Sequence, residues 1–218
     1  MNHQLGVTAT MLALALGVSL ARPVSSFSDD QDGFTSLFDG KSLDGWEGNL
    51  QYWKSRDGLI VGESPGINHN EFLCTKATFG DFELRVNFRI VGDDTKNSGI
   101  QFRSKRVPND TEVSGYQADI GQNYWGSLYD ESRRNKVLVQ APEGDLARVV
   151  KRDDWNSYVI RCEGPHITLW LNGLKTVDYM EPDDTIPRSG LIGLQIHGGN
   201  KLEAQFKDIR IKKLGQAK

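Results

Sequence analysis

The chain of 218 residues predicts an all-β protein, an antiparallel β-sandwich, on three observations. Apolar and polar residues alternate with a period of two through most of its apolar segments. Turn signals separate those segments at short intervals, and 23 glycines supply the conformations that such turns need. No window of helical length carries a clean 3.6-residue apolar stripe. Many short strands between turns point to two packed sheets, not to a parallel sheet flanked by helices.

The elements follow in order. In FELRVNFRIV (82–91), Phe82, Leu84, Val86, Phe88 and Ile90 share one face, opposite Glu83, Arg85, Asn87 and Arg89. GIQFRS (99–104) sets Ile100 and Phe102 against Gln101 and Arg103. GYQADIG (115–121) sets Tyr116, Ala118 and Ile120 against Gln117 and Asp119. SYVIRCEG and HITLWLNG flank the turn Gly164-Pro165, and Asn172-Gly173 is a second hairpin signal, because it favours positive φ. GLIGLQIHG and QFKDIRIKKL complete the set.

The opening segment reads differently. MLALALGVSLA (11–21) is apolar, too short to span a membrane and suited to the h-region of a secretion signal. Residues 1–26 are therefore expected to be that signal, with the chain outside the domain to about residue 32. The folded domain is expected over 33–215. Export to a periplasmic or extracellular site follows, with no membrane span. A net charge of −3 with interspersed signs argues against nucleic acid as a partner. Cys74 and Cys162 could pair in an exported protein, but nothing in the sequence brings them together. They have no C-x-x-C spacing, so zinc is not supported. The sequence calls for no cofactor. A divalent cation stays open through the weak H-x-E pair His69 and Glu71, and the oligomeric state is not legible.

The stretch GYQADIGQNYWGSLYDESRR (115–134) carries the candidate chemistry. Alternation places Gln101, Arg103, Gln117 and Asp119 on a common sheet face. Tyr124, Trp125 and Tyr129 follow at once, and planar hydrogen bonders beside aromatic platforms suit a sugar. An ordinary polar sheet face is the competing reading. Its Q-x-D-x-x-Q run (117–122) has the shape of the E-x-D-x-x-E strand of laminarinase-type retaining glycosidases, with both glutamates replaced by amides. Retaining hydrolysis needs two carboxyl groups roughly 5–5.5 Å apart, and Gln117 and Gln122 can supply neither. Glu131 is a second candidate base, or else a surface partner of Arg133 or Arg134. His197 shares its parity with Gln195 on GLQIHGG and could shuttle a proton.

LFDGKSLDGW (37–46), NSGIQFRS (97–104), GYQADIG, YWGSLYDE (124–131), WNSYVIRCEG…ITLWLNG (155–173), GLIGLQIHGG (190–199) and FKDIRIKKL (206–214) come in family order. They resemble the 3-keto-glucoside-1,2-lyase/3-keto-2-hydroxy-glucal hydratase domain, also called 3-keto-disaccharide hydrolase. The resemblance implies a concanavalin A-like jelly roll whose concave sheet carries a carbohydrate-derived small-molecule substrate. Many members carry Glu where this chain has Gln117, and Gln where it has Asp119, so the acid has moved two residues along one strand face.

The implied chemistry needs no nucleophile. A C3 ketone acidifies the C2 proton, one base removes it, and a donor stabilises the enolate oxygen while the C1 substituent departs. Asp119 is the expected base and Arg103 the expected clamp, with Glu131 and His197 as further catalytic candidates. Gln101, Gln117, Tyr116, Tyr124, Trp125, Tyr129, Arg133 and Gln195 are the expected substrate contacts. The alternative is a carbohydrate-binding module of the same fold, without turnover.

Overall fold

The computed structural model describes Met1 and residues 32–199 and 201–215. After Met1, the expected secretion signal lies outside the described residues. The strands are, in chain order, β1 (Thr35–Ser36), β2 (Trp46–Glu47), β3 (Trp53–Arg56), β4 (Leu59–Pro65), β5 (Glu71–Thr75), β6 (Phe82–Gly92), β7 (Asn97–Arg106) and β8 (Val113–Gly121). There follow β9 (Leu128–Glu131), β10 (Lys136–Val139), β11 (Asn156–Glu163), β12 (His166–Leu171), β13 (Leu174–Met180), β14 (Leu191–Ile196) and β15 (Lys201–Lys213). The one helix among the described residues, α1 (Glu143–Val149), buries only Leu146, which is why no helical periodicity marks it in the sequence. Among the described residues no helix is long and apolar enough to cross a membrane.

The strands form two antiparallel sheets, as the alternation predicts. The first runs β13-β12-β11-β6-β15-β4-β3, with β1 also pairing β15; the second runs β10-β9-β8-β7-β14-β5-β2. Phe82, Leu84, Val86, Phe88 and Ile90 are buried in the space between them, against Ile100, Phe102, Tyr116, Ala118 and Ile120 of the second sheet. Burying each large apolar side chain contributes about 1.5–3 kcal/mol, and the summed gain fixes which face of β7, β8 and β14 turns inward. The other face of the same strands then has to carry Gly99, Gln101, Gln117, Asp119 and Gln195. Phe72, Cys74 and Val113 form a separate apolar cluster, joined by Leu191.

Arg103 departs from the expected alternation. The β7–β8 register shifts between Phe102 and Lys105, and Arg103 sits in that bulge at φ 48°. The extra residue turns its side chain off the sheet face. Its guanidinium donates to the carbonyls of Gly80 (3.1 Å) and Gly164 (2.7 Å) and to Asp81 (2.8 Å). Arg103 therefore ties the loops before β6 and between β11 and β12 to the second sheet.

Three of the expected substrate contacts also have structural jobs. Trp125 turns into the core and stacks on Phe88, with ring centroids 6.2 Å apart. Tyr116 points inward, stacks on Phe102 at 5.7 Å and donates its hydroxyl to Glu181 at 2.5 Å. Arg133 lies over the Tyr116 ring at 4.5 Å and donates to Asp130. Arg134 joins Asp130 to Glu181. Burial alone would raise the Glu181 carboxyl, but Arg134 and the Tyr116 hydroxyl hold it down to about 2. These arginines serve the inward-facing Asp130, which leaves the neighbouring Glu131 on the opposite face without them.

The two cysteines are separate buried thiols. Burial pushes Cys74 up to about 11 and Cys162 up to about 12, so neither is a ready nucleophile at neutral pH.

Candidate functional site

Glycine makes room for the site's first side chain. Gly99 on β7 lies opposite Asp119 on β8, and a Cβ there would come 2.4 Å from the amide carbon of Gln117. The Gln117 side chain therefore lies across Gly99, one strand over. There it accepts from Gln101 Nε2 at 2.7 Å and donates from its own Nε2 to Asp119 Oδ1 at 2.6 Å. The Asp119 backbone is held as firmly. Its N–H donates to Ser127 O, and its carbonyl accepts from Gly126 N and from the Tyr158 hydroxyl, which reaches across the sandwich from β11 at 2.6 Å.

Gln117 and Asp119 form one wall of a pocket of about 170 Å³ on the outer face of the second sheet. β9 supplies Tyr129 and Glu131, and Tyr124 comes from the turn between β8 and β9. Asn97 at the start of β7, Asn70 from the loop before β5, and His197 after β14 complete the lining. Glu112, at the end of the β7–β8 connection, joins Asn70 to the turn after β9. It accepts from Asn70 Nδ2 (2.9 Å) and from Ser132 Oγ (3.4 Å), while Asn70 Oδ1 accepts from the Gly198 N–H. His197 Nδ1 meets the carbonyl of Gly198 at 2.6 Å. A carbonyl can only accept, so Nδ1 carries a proton and, in the neutral ring, Nε2 is left as an acceptor.

The two pocket carboxyl groups differ in proton affinity. Burial raises the Asp119 carboxyl well above its ordinary value; the Gln117 amide works against that, and the charge of Glu131 adds to it. Burial raises Glu131 to about 7, with the nearby charge of Glu112 contributing. Near neutral pH Glu131 is therefore divided between acid and base, while burial favours the protonated form of Asp119. Two buried polar side chains have unpaired atoms here, and of the two only Asn97 lines the pocket. Asn97 Oδ1 and both amide atoms of Gln195 are buried without a hydrogen-bond partner among the described residues. Such groups are costly when unpaired and hold a ligand hydroxyl well.

Of the expected catalytic residues, Asp119, Glu131 and His197 converge here and Arg103 does not. Of the expected contacts, Gln117, Tyr124 and Tyr129 line the pocket. Gln101 lies one hydrogen bond behind it, and Gln195 is buried on the same strand face as His197. Tyr116, Trp125 and Arg133 are elsewhere. The H-x-E pair is an ordinary contact, with His69 Nε2 3.2 Å from Glu71. Asn70, Asn97 and Glu112 were not singled out from sequence. Asn97 shares the 97-99-101 parity of β7 and was findable; the other two reach the site through loops.

The family model described as the 3-keto-alpha-glucoside-1,2-lyase-like domain matches residues 33–212. Among solved structures, a proposed glycosyl hydrolase from Parabacteroides distasonis superposes with a TM-score of 0.65 at 21% identity, covering 84% of this chain and 95% of that one. The carbohydrate-binding module CBM66 from Bacillus subtilis gives 0.58 at 18% identity, covering 78% and 96%. A galectin-like protein of unknown function from Bacillus subtilis gives 0.60 at 12% identity, covering 80% and 92%. At these identities the likeness is one of fold, a jelly-roll sandwich. Among curated proteins no relative matches.

Proposed function

Because the chain belongs to the 3-keto-alpha-glucoside-1,2-lyase-like domain family, we propose that this pocket cleaves 3-keto-glycosides by removing the C2 proton and eliminating the C1 substituent. The observation that supports this most is the pair of pocket carboxyl groups, with burial favouring the protonated form of Asp119 and raising Glu131 to about 7. Proton abstraction beside a ketone needs one base and one neutral donor, and this pair supplies both.

Glu131 as carboxylate takes the C2 proton, and the C2–H electron pair becomes the enolate with its charge on the C3 oxygen. Asp119, neutral and oriented by Gln117, donates to that oxygen, the role first expected of Arg103. The enolate then re-forms the C3 carbonyl, a C1=C2 double bond appears, and the C1–O bond breaks. The proton held by Glu131 passes to the departing oxygen. Water added across the double bond of the resulting 3-keto-2-hydroxy-glucal completes a net hydrolysis, with His197 Nε2 as the acceptor of the water proton. Asn70 and Asn97 hold ring hydroxyls, and Tyr124 and Tyr129 border the ring. Export of the protein by residues 1–26, through the apolar run 11–21, accompanies this reading.

The test compares a 3-keto-glucoside with its unoxidised parent. Turnover of the first and inertness of the second is the expected result, and comparable cleavage of both would end the reading. A binding module of the same fold would hold the sugar with no turnover at all.

A further inference from the structure

The carboxyl of Asp119 stands at the end of a buried chain that continues past Gln117. Ser104 Oγ donates to Gln101 Oε1 at 2.9 Å, Gln101 Nε2 to Gln117 Oε1 at 2.7 Å, and Gln117 Nε2 to Asp119 Oδ1 at 2.6 Å. All four residues are buried, Gln101 completely. A primary amide has a donor end and an acceptor end of nearly the same shape, so a head-to-tail row of amides has two self-consistent directions. The direction above ends on an acceptor and suits Asp119 as carboxylate. With a proton on Asp119 Oδ1, the same row would set donor against donor.

We propose that the chain Ser104–Gln101–Gln117–Asp119 is a reversible relay, whose three hydrogen bonds all change direction when Asp119 gains or loses its proton in the substrate-free protein, with Ser104 as the positioning residue at its far end. In the reversed state Asp119 donates to Gln117 Oε1, Gln117 Nε2 donates to Gln101 Oε1, and Gln101 Nε2 donates to Ser104 Oγ. Reversal needs Ser104 to release its own proton to a second acceptor, and the Phe102 carbonyl lies 3.0 Å from Oγ. The hydroxyl turns on its bond and each amide rotates about a soft terminal torsion, so no backbone has to move. No proton leaves the chain except the one that Asp119 exchanges.

Other groups facing Asp119 do not substitute for this. Glu131 and Tyr129 come from β9, Tyr124 from the adjoining turn and His197 from beyond β14, while Tyr158 donates to the Asp119 carbonyl and not to its carboxyl. Among the described residues Gln117 is the side chain hydrogen-bonded to that carboxyl. Only the effect of Ser104 on kcat rests on the proposed function. The relay satisfies the buried acid in the substrate-free protein; with substrate bound, the proton of neutral Asp119 points from Oδ2 to the C3 oxygen and Gln117 Nε2 again donates to Oδ1.

The experiment follows the side-chain amide signals of Gln101 and Gln117 by NMR in the substrate-free protein as Asp119 is titrated. Both pairs of signals are expected to move with one midpoint, shared with the Asp119 carboxyl, and to stay flat in Asp119→Asn. Signals of Gln101 that stand still through that titration overturn the relay, and this arm needs no 3-keto substrate, so it stands apart from the lyase reading. In Ser104→Ala, kcat on the 3-keto substrate is expected to fall about tenfold with KM little changed, and Ser104→Thr, which keeps the hydroxyl, to restore it. An unchanged kcat in Ser104→Ala overturns the role of Ser104.

Discussion

Arg103 Nη2 donates to Asp81 Oδ1 at 2.8 Å, and the arginine side chain is only 2% exposed. Asp81 also accepts from the Gly164 N–H, so the pair closes a knot between two loops. Removing one partner of a buried ion pair strands the other. Arg103→Ala is expected to cost about 3–5 kcal/mol of stability, read as a lower denaturation midpoint. The folded fraction should keep its kcat. A large loss of kcat with stability unchanged would return Arg103 to the chemistry.

The pH dependence turns on Glu131. Its folded carboxyl titrates at about 7 against an ordinary value of 4.5. Between those values the folded state holds more protons than the unfolded chain, so this group makes stability fall as pH rises through the window. Glu131→Gln should therefore stabilise the protein above neutral pH, by on the order of 2 kcal/mol, and change little below the ordinary value. The same variant should lose activity by about a hundredfold or more, the scale of general-base catalysis. In the wild type, kcat should rise with pH through a midpoint near 7. Burial sets most of that midpoint and Glu112 adds to it, so Glu112→Gln should move the limb to lower pH. A limb that does not respond to Glu112→Gln would separate Glu131 from the rate.

Tyr124 and Trp125 are neighbours in sequence with opposite expected effects. Tyr124 is 38% exposed at the pocket, while Trp125 is 4% exposed against Phe88. Trp125→Ala should cost about 3–5 kcal/mol of stability through the cavity it opens. Tyr124→Ala should leave stability nearly unchanged and weaken sugar binding by about 1 kcal/mol, read by titration with a substrate analogue. Affinity lost in both variants at equal stability would put the indole back at the site.

How far each of these residues was legible follows from how local its determinant is. Alternation carries along a strand, so Gln117 and Asp119 could be assigned to one face from Tyr116, Ala118 and Ile120 alone. It fails at a bulge, and nothing in FRSKR announces that Arg103 takes φ 48°. Tyr116 already carried the contradiction, having an inward parity and an expected role outside. Trp125 lies in a turn, where parity says nothing, and core burial won. Glu131 was weighed against an ion pair with Arg133 or Arg134. Strand pairing settles that, because Tyr116 opposite Asp130 and Gln117 opposite Tyr129 put Asp130 inward with the arginines and Glu131 outward. Glu112 and Asn70 reach the pocket from connections, and only the folded chain brings them together.

The last prediction concerns Asp119 and the substrate together. A C2–H bond in an ordinary glucoside is unactivated, and no carboxylate held near neutral proton affinity removes such a proton at a useful rate. With a ketone at C3 the same proton becomes acidic, provided that a donor meets the enolate oxygen. Asp119→Asn keeps the shape of the carboxyl, but an amide N–H is a far weaker acid than a neutral carboxyl and stabilises the enolate oxygen less. The substitution also fixes the end of the Gln117 chain in one state. Its kcat on a 3-keto-glucoside should fall by about a hundredfold, with KM little changed. Deuterium at C2 should slow the wild-type reaction where abstraction limits it, and exchange of that position with solvent would report a reversible first step. If Asp119→Asn turned over the 3-keto substrate at the wild-type rate while Glu131→Gln did not, Glu131 and His197 would carry the proton transfers between them and Asp119 would be a buried support for Gln117.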